Sequence, residues 1–167
     1  RSTLFPYTTL FRSTTMYIYA KDGDDYIDAN LDYVYAGSGN DYINVTSSYV
    51  YGEDGNDTII NFGNNNMYGE NPELYGGDGD DTIINKEHAT IYNIYGGSDN
   101  DIITNDGIVI KNIEGGDGDD TITNNGAVNN KIEGGDGNDI IINNGQVNNT
   151  SYNYTDISGG AGDDYIV

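Results

Sequence analysis

An isoleucine stands two residues after each of eight aspartates along this chain, and the eight pairs keep step with a wider pattern. The aspartates are Asp25, Asp41, Asp57, Asp81, Asp101, Asp120, Asp139 and Asp164; the isoleucines are Ile27, Ile43, Ile59, Ile83, Ile103, Ile122, Ile141 and Ile166. Seven residues before each aspartate lies another apolar residue: Ile18, Val34, Val50, Leu74, Ile94, Ile113, Ile132 and Ile157. Two residues before each aspartate stands glycine, except in the fifth unit, which has Asp99. Successive aspartates are 16, 16, 24, 20, 19, 19 and 25 residues apart. An acidic, Asn- and Gly-rich chain with 35% hydrophobic residues has the composition of a disordered segment. Disorder does not hold such a register.

The apolar residues fall in short alternating runs such as "DTIIN" and "NKIEGG", the pattern of strands with turns between them. A unit of about 19 residues holds two short strands and two turns. One unit cannot bury its own apolar side chains, but a stack of eight makes a continuous Ile/Val column. At one strand spacing per coil, eight coils make a rod of roughly 38 Å.

The two edges of such a coil differ. One carries glycine and aspartate. The other carries asparagine: Asn61, Asn85, Asn105, Asn124 and Asn143 each stand four residues after an aligned aspartate. Asn and Gly suit turns that need positive φ, and amides stacked in register can bond to one another along a β axis. Val109, Val128 and Val147 then return the chain to the core. A stripe of Tyr19, Tyr35, Tyr51, Tyr75 and Tyr95 precedes the glycine turns and is broken later by Glu114, Glu133 and Ser158. It reads as an aromatic packing ladder.

The acidic turn needs a cation. With 28 acidic residues against 6 basic ones, the chain carries a formal charge of −22. Such a surface excludes nucleic acid and anionic membrane as partners and favours cations. No run is apolar enough for membrane insertion. Turn chemistry explains glycine and a tolerance of Asp or Asn. It does not explain why the last position of the turn is Asp in all eight units while the one before alternates between Asp and Asn. Stacked one strand apart, two such charges repel by about 3 kcal/mol at an effective dielectric near 20. The lysines, Lys21, Lys86, Lys111 and Lys131, are too few to compensate. Calcium binds carboxylate and carbonyl oxygens in the numbers a glycine turn exposes. There is no cysteine, and the single histidine, His88, lies in an irregular loop, so zinc, copper and iron fit poorly.

The turns resemble the hemolysin-type calcium-binding repeat of the RTX family, G-G-x-G-x-D-x-U-x. The match is full at Gly76–Ile83, Gly115–Ile122, Gly134–Ile141 and Gly159–Ile166. It is degraded at "AKDGDDYI" (20–27), "AGSGNDYI" (36–43), "GEDGNDTI" (52–59) and "GGSDNDII" (96–103). The resemblance implies an all-β, right-handed parallel β-roll with calcium between successive turns. Each aligned Asp would give its carboxylate, and the first four turn residues their main-chain carbonyls. In the full matches these include Gly77, Gly79, Gly116, Gly118, Gly135, Gly137, Gly160 and Gly162. Glu53 and Asp99, where glycine is lost, put their neighbouring sites in question. Tandem nonapeptides recur every nine residues and load both edges; here the motif comes once per coil. The expectation is one calcium file of up to seven ions, closed opposite by the asparagine turns. The resemblance further implies export by a type I secretion system, folding on calcium outside the cell, and an extracellular or cell-surface location.

Residues 1–13 stand apart. Thr3–Ser13 resembles the in-frame translation of a sequencing adapter, so these residues are expected to be an assembly artefact outside the fold. Residues 14–167 are expected to form a single solenoid, truncated at both ends. No enzyme activity is expected: one histidine supports no Ser/His/Asp group, and the carboxylates repeat in every coil whereas a catalytic site is singular. The principal reading is a calcium-binding repeat module of a secreted bacterial protein. The alternatives are the stalk of a large adhesin and, less favoured, a polysaccharide-active β-helix enzyme.

Overall fold

The alternating runs on either side of each acidic cluster become strands, and every strand pairs with its counterpart one unit away. The structure, a computed structural model, describes residues 15–46, 49–63, 71–148 and 156–167. The expectation for residues 1–13 lies outside them.

Two eight-stranded parallel sheets run the length of the molecule. The first holds the strands that enter the acidic turns: Tyr17–Asp22, Tyr33–Ser38, Tyr49–Asp54, Glu73–Asp78, Asn93–Ser98, Ile113–Asp117, Ile132–Asp136 and Ile157–Ala161. The second holds those that leave them: Tyr26–Ala29, Tyr42–Val45, Thr58–Asn61, Thr82–Asn85, Ile102–Asn105, Thr121–Asn124, Ile140–Asn143 and Tyr165–Ile166. In each sheet the strand order follows the chain, so every pairing joins one unit to the next. The molecule is an all-β parallel solenoid.

The register is the one the repeat dictates. Ile18 pairs with Val34, Val34 with Val50, Val50 with Leu74, and so on to Ile157. Ile27, Ile43, Ile59, Ile83, Ile103, Ile122, Ile141 and Ile166 form the facing column. Most of these side chains are fully buried and make one core cluster. A one-residue slip would turn a whole column to solvent, which is why alternation fixes register so firmly.

One feature departs from the expected two strands per coil. The longer units carry a third strand: Thr90–Ile91, Ile108–Val109, Ala127–Val128 and Gln146–Val147 form a separate four-stranded parallel sheet. Ile91, Val109, Val128 and Val147 align in it and feed the same core. The extra residues of the 19-, 20- and 25-residue intervals thus add a third wall. The 16-residue units close without it.

The asparagine column turns inward. Asn61, Asn85, Asn105 and Asn124 are fully buried, and each donates its side-chain N–H to the Oδ1 of the next: 2.9 Å to Asn85, 2.8 Å to Asn105, 2.7 Å to Asn124 and 2.7 Å to Asn143. A buried amide costs free energy unless paired, and here each pairs with its own copy. The Asn61 and Asn105 oxygens also accept the N–H of Gly63 and Gly107, which shapes the turn.

The tyrosines stack on the outer face of the first sheet. Tyr19, Tyr35, Tyr51, Tyr75 and Tyr95 have centroid separations of 4.8, 4.9, 4.9 and 4.7 Å. Tyr17, Tyr33 and Tyr49 form a second file beside them. Ring faces meet ring faces along the ladder, and the Tyr75 hydroxyl donates to the Glu73 carboxylate.

Candidate metal centre

The eight aligned aspartates come together as one file along one edge, although their turns are separated by up to 25 residues in sequence. From Asp25 to Asp139 they are among the most buried polar residues of the molecule. Each carboxylate has two different environments. Its Oδ1 accepts the backbone N–H of the aspartate one coil earlier: Asp25 donates to Asp41 at 2.7 Å, Asp41 to Asp57 at 2.7 Å and Asp57 to Asp81 at 2.7 Å. The ladder continues through Asp101, Asp120 and Asp139 to Asp164. Its Oδ2, in all seven coils from Asp25 to Asp139, is buried without a hydrogen-bond partner.

That second oxygen faces other oxygens. A Cβ on Gly52 would run into Asp57 Oδ2 and the carbonyl oxygen of Gly76 in the next coil, so both oxygens crowd the Gly52 Cα. The same arrangement recurs at Gly76, Gly96, Gly115 and Gly134. A Cβ at any of these glycines would overlap the carboxylate oxygen. An amide in place of the carboxylate would donate to the carbonyl and satisfy both groups, yet every coil presents a carboxylate. A hard cation is what unpartnered carboxylate and carbonyl oxygens fit. Among the described residues no three acidic or histidine side chains converge into a cage. The oxygens available are instead one carboxylate per coil together with main-chain carbonyls.

The penultimate turn position makes a second ladder that runs the opposite way. Asn40 donates its N–H to Asp24 Oδ1 at 2.9 Å, Asn56 to Asn40 at 2.9 Å, and the series continues to Asp163 on Asn138. Asp and Asn both supply an Oδ1, and these side chains are exposed, so the site accepts either. The alternation seen in sequence follows directly.

The turn glycines adopt the backbone the motif requires. Gly77, Gly116, Gly135 and Gly160 have φ between 113° and 130°, and Gly79, Gly118, Gly137 and Gly162 between 121° and 142°. Their Cα atoms sit close to carbonyl oxygens of the preceding coil: Glu53 for Gly77, Gly55 for Gly79 and Gly97 for Gly116. Carbonyls at the second and fourth positions therefore point into the gaps. The third carbonyl is engaged, since Asp78, Asp136 and Ala161 accept the N–H of Gly55, Gly118 and Gly137. Where glycine is lost the turn persists: Lys21, Glu53 and Asp99 hold φ of 86°, 79° and 75°. Those are left-handed values an L-residue adopts at a cost of about 1–2 kcal/mol.

Burial raises the carboxyl pKa of the aspartates from Asp41 to Asp139, with neighbouring aspartates adding to it and the backbone hydrogen bond opposing it. Asp57 is pushed up to about 7, Asp81 to about 6, Asp101 to about 8 and Asp120 to about 6. Asp41 and Asp139 move in the same direction. These groups are poised to hold either a proton or a cation.

Sequence reading gave the first turn position only a carbonyl role and missed that its glycine lets Oδ2 pack against the Cα. The signal was there: that position is Gly or Ala in all eight units. Fold and site together define a parallel β-solenoid with an oxygen-lined turn edge. The family of the RTX calcium-binding nonapeptide repeat matches it in four copies, over residues 19–45, 47–61, 73–85 and 156–167. Over those four segments the chain matches calcium-binding repeats of the RTX type. The coils between the last two matched segments share the same register and the same carboxylate ladder. No curated protein and no solved structure matches the chain.

Proposed function

We propose that the chain is a calcium-binding repeat module of a secreted protein, which folds when calcium enters the gaps of its acidic edge. The observation that carries this reading is the row of buried, unpartnered Oδ2 atoms facing carbonyl oxygens. The ligands are the carboxylates of the aligned aspartates and the main-chain carbonyls of the turn, those of Gly77 and Gly79 among them. Calcium supplies the positive charge that lets neighbouring carboxylates remain ionised at one strand spacing. The protein's own part is to hold Oδ1 on a backbone N–H, which fixes the direction of Oδ2. Several ions share one file.

Without the ions the file repels itself, so folding and binding are coupled. A chain with this property stays unfolded where calcium is scarce and folds where it is plentiful, which suits export through a type I system and an extracellular destination. No helix among the described residues is long and apolar enough to cross a membrane. The equivalence of the carboxylates from coil to coil favours binding over catalysis. The test is far-ultraviolet circular dichroism of the purified chain at neutral pH in EGTA and in millimolar calcium. Strand signal that grows with calcium supports the reading; equal signal in both refutes it.

A further inference from the structure

Asparagine is followed by glycine at two places in the chain, Asn125-Gly126 and Asn144-Gly145, and each pair sits in a turn of the asparagine edge. The coil before them has Asp106-Gly107 at the equivalent place. An asparagine before glycine has a reaction of its own. The glycine nitrogen, once its proton is lost, attacks the asparagine Cγ, and no side chain on glycine stands in the way. The N–Cγ bond forms, the Cγ–Nδ2 bond breaks, and ammonia leaves with the proton. Water then opens the cyclic imide at either carbonyl. The product is a carboxylate: aspartate, or isoaspartate with its backbone running through the side chain.

Both pairs are placed for this chemistry and locked against it. Asn125 and Asn144 are exposed, and with Glu87 and His88 they line an open groove, so water reaches them. The Gly126 N–H donates to the Asn105 carbonyl one coil earlier at 3.0 Å, and the Gly145 N–H to the Asn124 carbonyl at 3.0 Å. A nitrogen so engaged resists losing its proton. The Asn125 side-chain amide donates to Asp106 Oδ1 at 2.9 Å, and that of Asn144 to Asn125 Oδ1 at 3.0 Å. Swinging Cγ onto the glycine nitrogen breaks that bond.

We propose that Asn125 and Asn144 are sites of self-deamidation, which closed turns hold off and open coils release. The reaction goes beyond the calcium reading above and rests on it only for what closes the coils. Its product is a one-way mark. Isoaspartate adds an atom to the backbone where Gly126 lies against the Gly107 carbonyl and Gly145 against the Gly126 carbonyl, contacts too close to admit a Cβ. A coil marked in this way cannot restack. Aspartate at position 125 instead sets a second carboxylate beside Asp106. A chain left open thus loses the third wall at Ala127–Val128 and Gln146–Val147.

The test ages the purified chain at mildly alkaline pH in calcium, in EGTA and in urea with EGTA. Peptide mass spectrometry counts deamidation at each asparagine, and circular dichroism follows the fold of the same samples. In urea, Asn125 and Asn144 should react faster than the other asparagines. In calcium both should slow by about tenfold or more, because a folded turn opens for only a small fraction of the time. Asp106→Ala frees the Asn125 amide and should speed Asn125 several-fold in calcium. Slow reaction with strand signal in EGTA as well as in calcium upholds the lock and removes calcium's part in it. Equal rates in urea and calcium, with strand signal in calcium alone, overturn the lock and leave the calcium reading standing. No strand signal in calcium sinks both. No preference for the two sites in urea overturns their assignment, and an unchanged Asn125 rate in Asp106→Ala overturns the side-chain half of the lock.

Discussion

At the scale of single residues, the file of aspartates is a conflict between two demands on one side chain. Oδ1 serves the backbone ladder, which Asn would serve equally well, as Asn40, Asn56, Asn100 and Asn138 do one position earlier. Oδ2 serves nothing within the protein. Asp101→Asn keeps the ladder and places an N–H where Oδ2 faced the Gly115 carbonyl. Without metal this variant is expected to be more stable than the parent by about 2 kcal/mol, because an unpaired buried group becomes paired. It should bind at least one ion fewer. Urea unfolding in EGTA and in calcium checks both, and a loss of stability in EGTA would contradict the assignment. The pH dependence follows from the same groups. Asp57, Asp81, Asp101 and Asp120 have folded-state pKa values of about 7, 6, 8 and 6, above the ordinary 3.8. A raised folded pKa contributes stability that is full below the unfolded value and is lost as pH rises through the folded one. The metal-free solenoid should therefore weaken steadily from about pH 4 to about pH 8. Calcium requires the ionised form, so its apparent affinity should rise over the same interval. Thermal melts in EGTA at several pH values, and calcium titrations at the same values, measure the two opposed slopes. At this scale the aligned aspartates were legible in sequence, because they never vary while their neighbours do. The first turn position was not. Gly and Ala are both small in a string of letters, and only Asp57 Oδ2 packed against the Gly52 Cα shows what the glycine admits.

At the scale of elements, alternation alone located both long sheets and their register, since only one face of each strand could be buried. The third sheet escaped that reading for a physical reason. A two-residue strand such as Ile108–Val109 has no alternation to read, and its pairing depends on neighbouring coils already being in place. The asparagine turns were legible as a ladder, but their burial was not, because an Asn-rich turn normally lies in solvent. Once inside, the ladder becomes a liability if interrupted. Asn105→Ala removes an acceptor from the Asn85 amide and a donor from the Asn124 oxygen, and it frees the Gly107 N–H. Leaving buried partners unsatisfied costs about 1–3 kcal/mol each, so the calcium-loaded protein should lose about 2–4 kcal/mol. Denaturant unfolding in saturating calcium measures it. A change under about 0.5 kcal/mol, the usual limit for surface positions, would show that water replaces the missing amide.

At the scale of the whole molecule, a solenoid is close to one-dimensional: each coil touches only its neighbours, and stability is a sum of coil and interface contributions. Interfaces of two kinds then give a molecule that cannot fold uniformly. Those at the first coils carry tyrosine stacks, which need no metal. Unpartnered carboxylate oxygens run through all coils from Asp25 to Asp139, and at the later ones, where few or no rings stack, their self-repulsion has to be relieved before the coils close. Calcium should accordingly extend a fold already begun near Tyr33–Ser38 and Tyr42–Val45 toward Ile132–Asp136 and Ile140–Asn143. Hydrogen exchange across a calcium titration distinguishes this from all-or-none assembly. Amides of the first pair of strands should gain protection at lower calcium than those of the second, and should retain some in EGTA. The core columns run unbroken through both regions, so apolar burial predicts no such difference. Protection that rises together in all coils would mean that the ion-bearing gaps hold the first coils too, and that the tyrosine ladders add packing without independence.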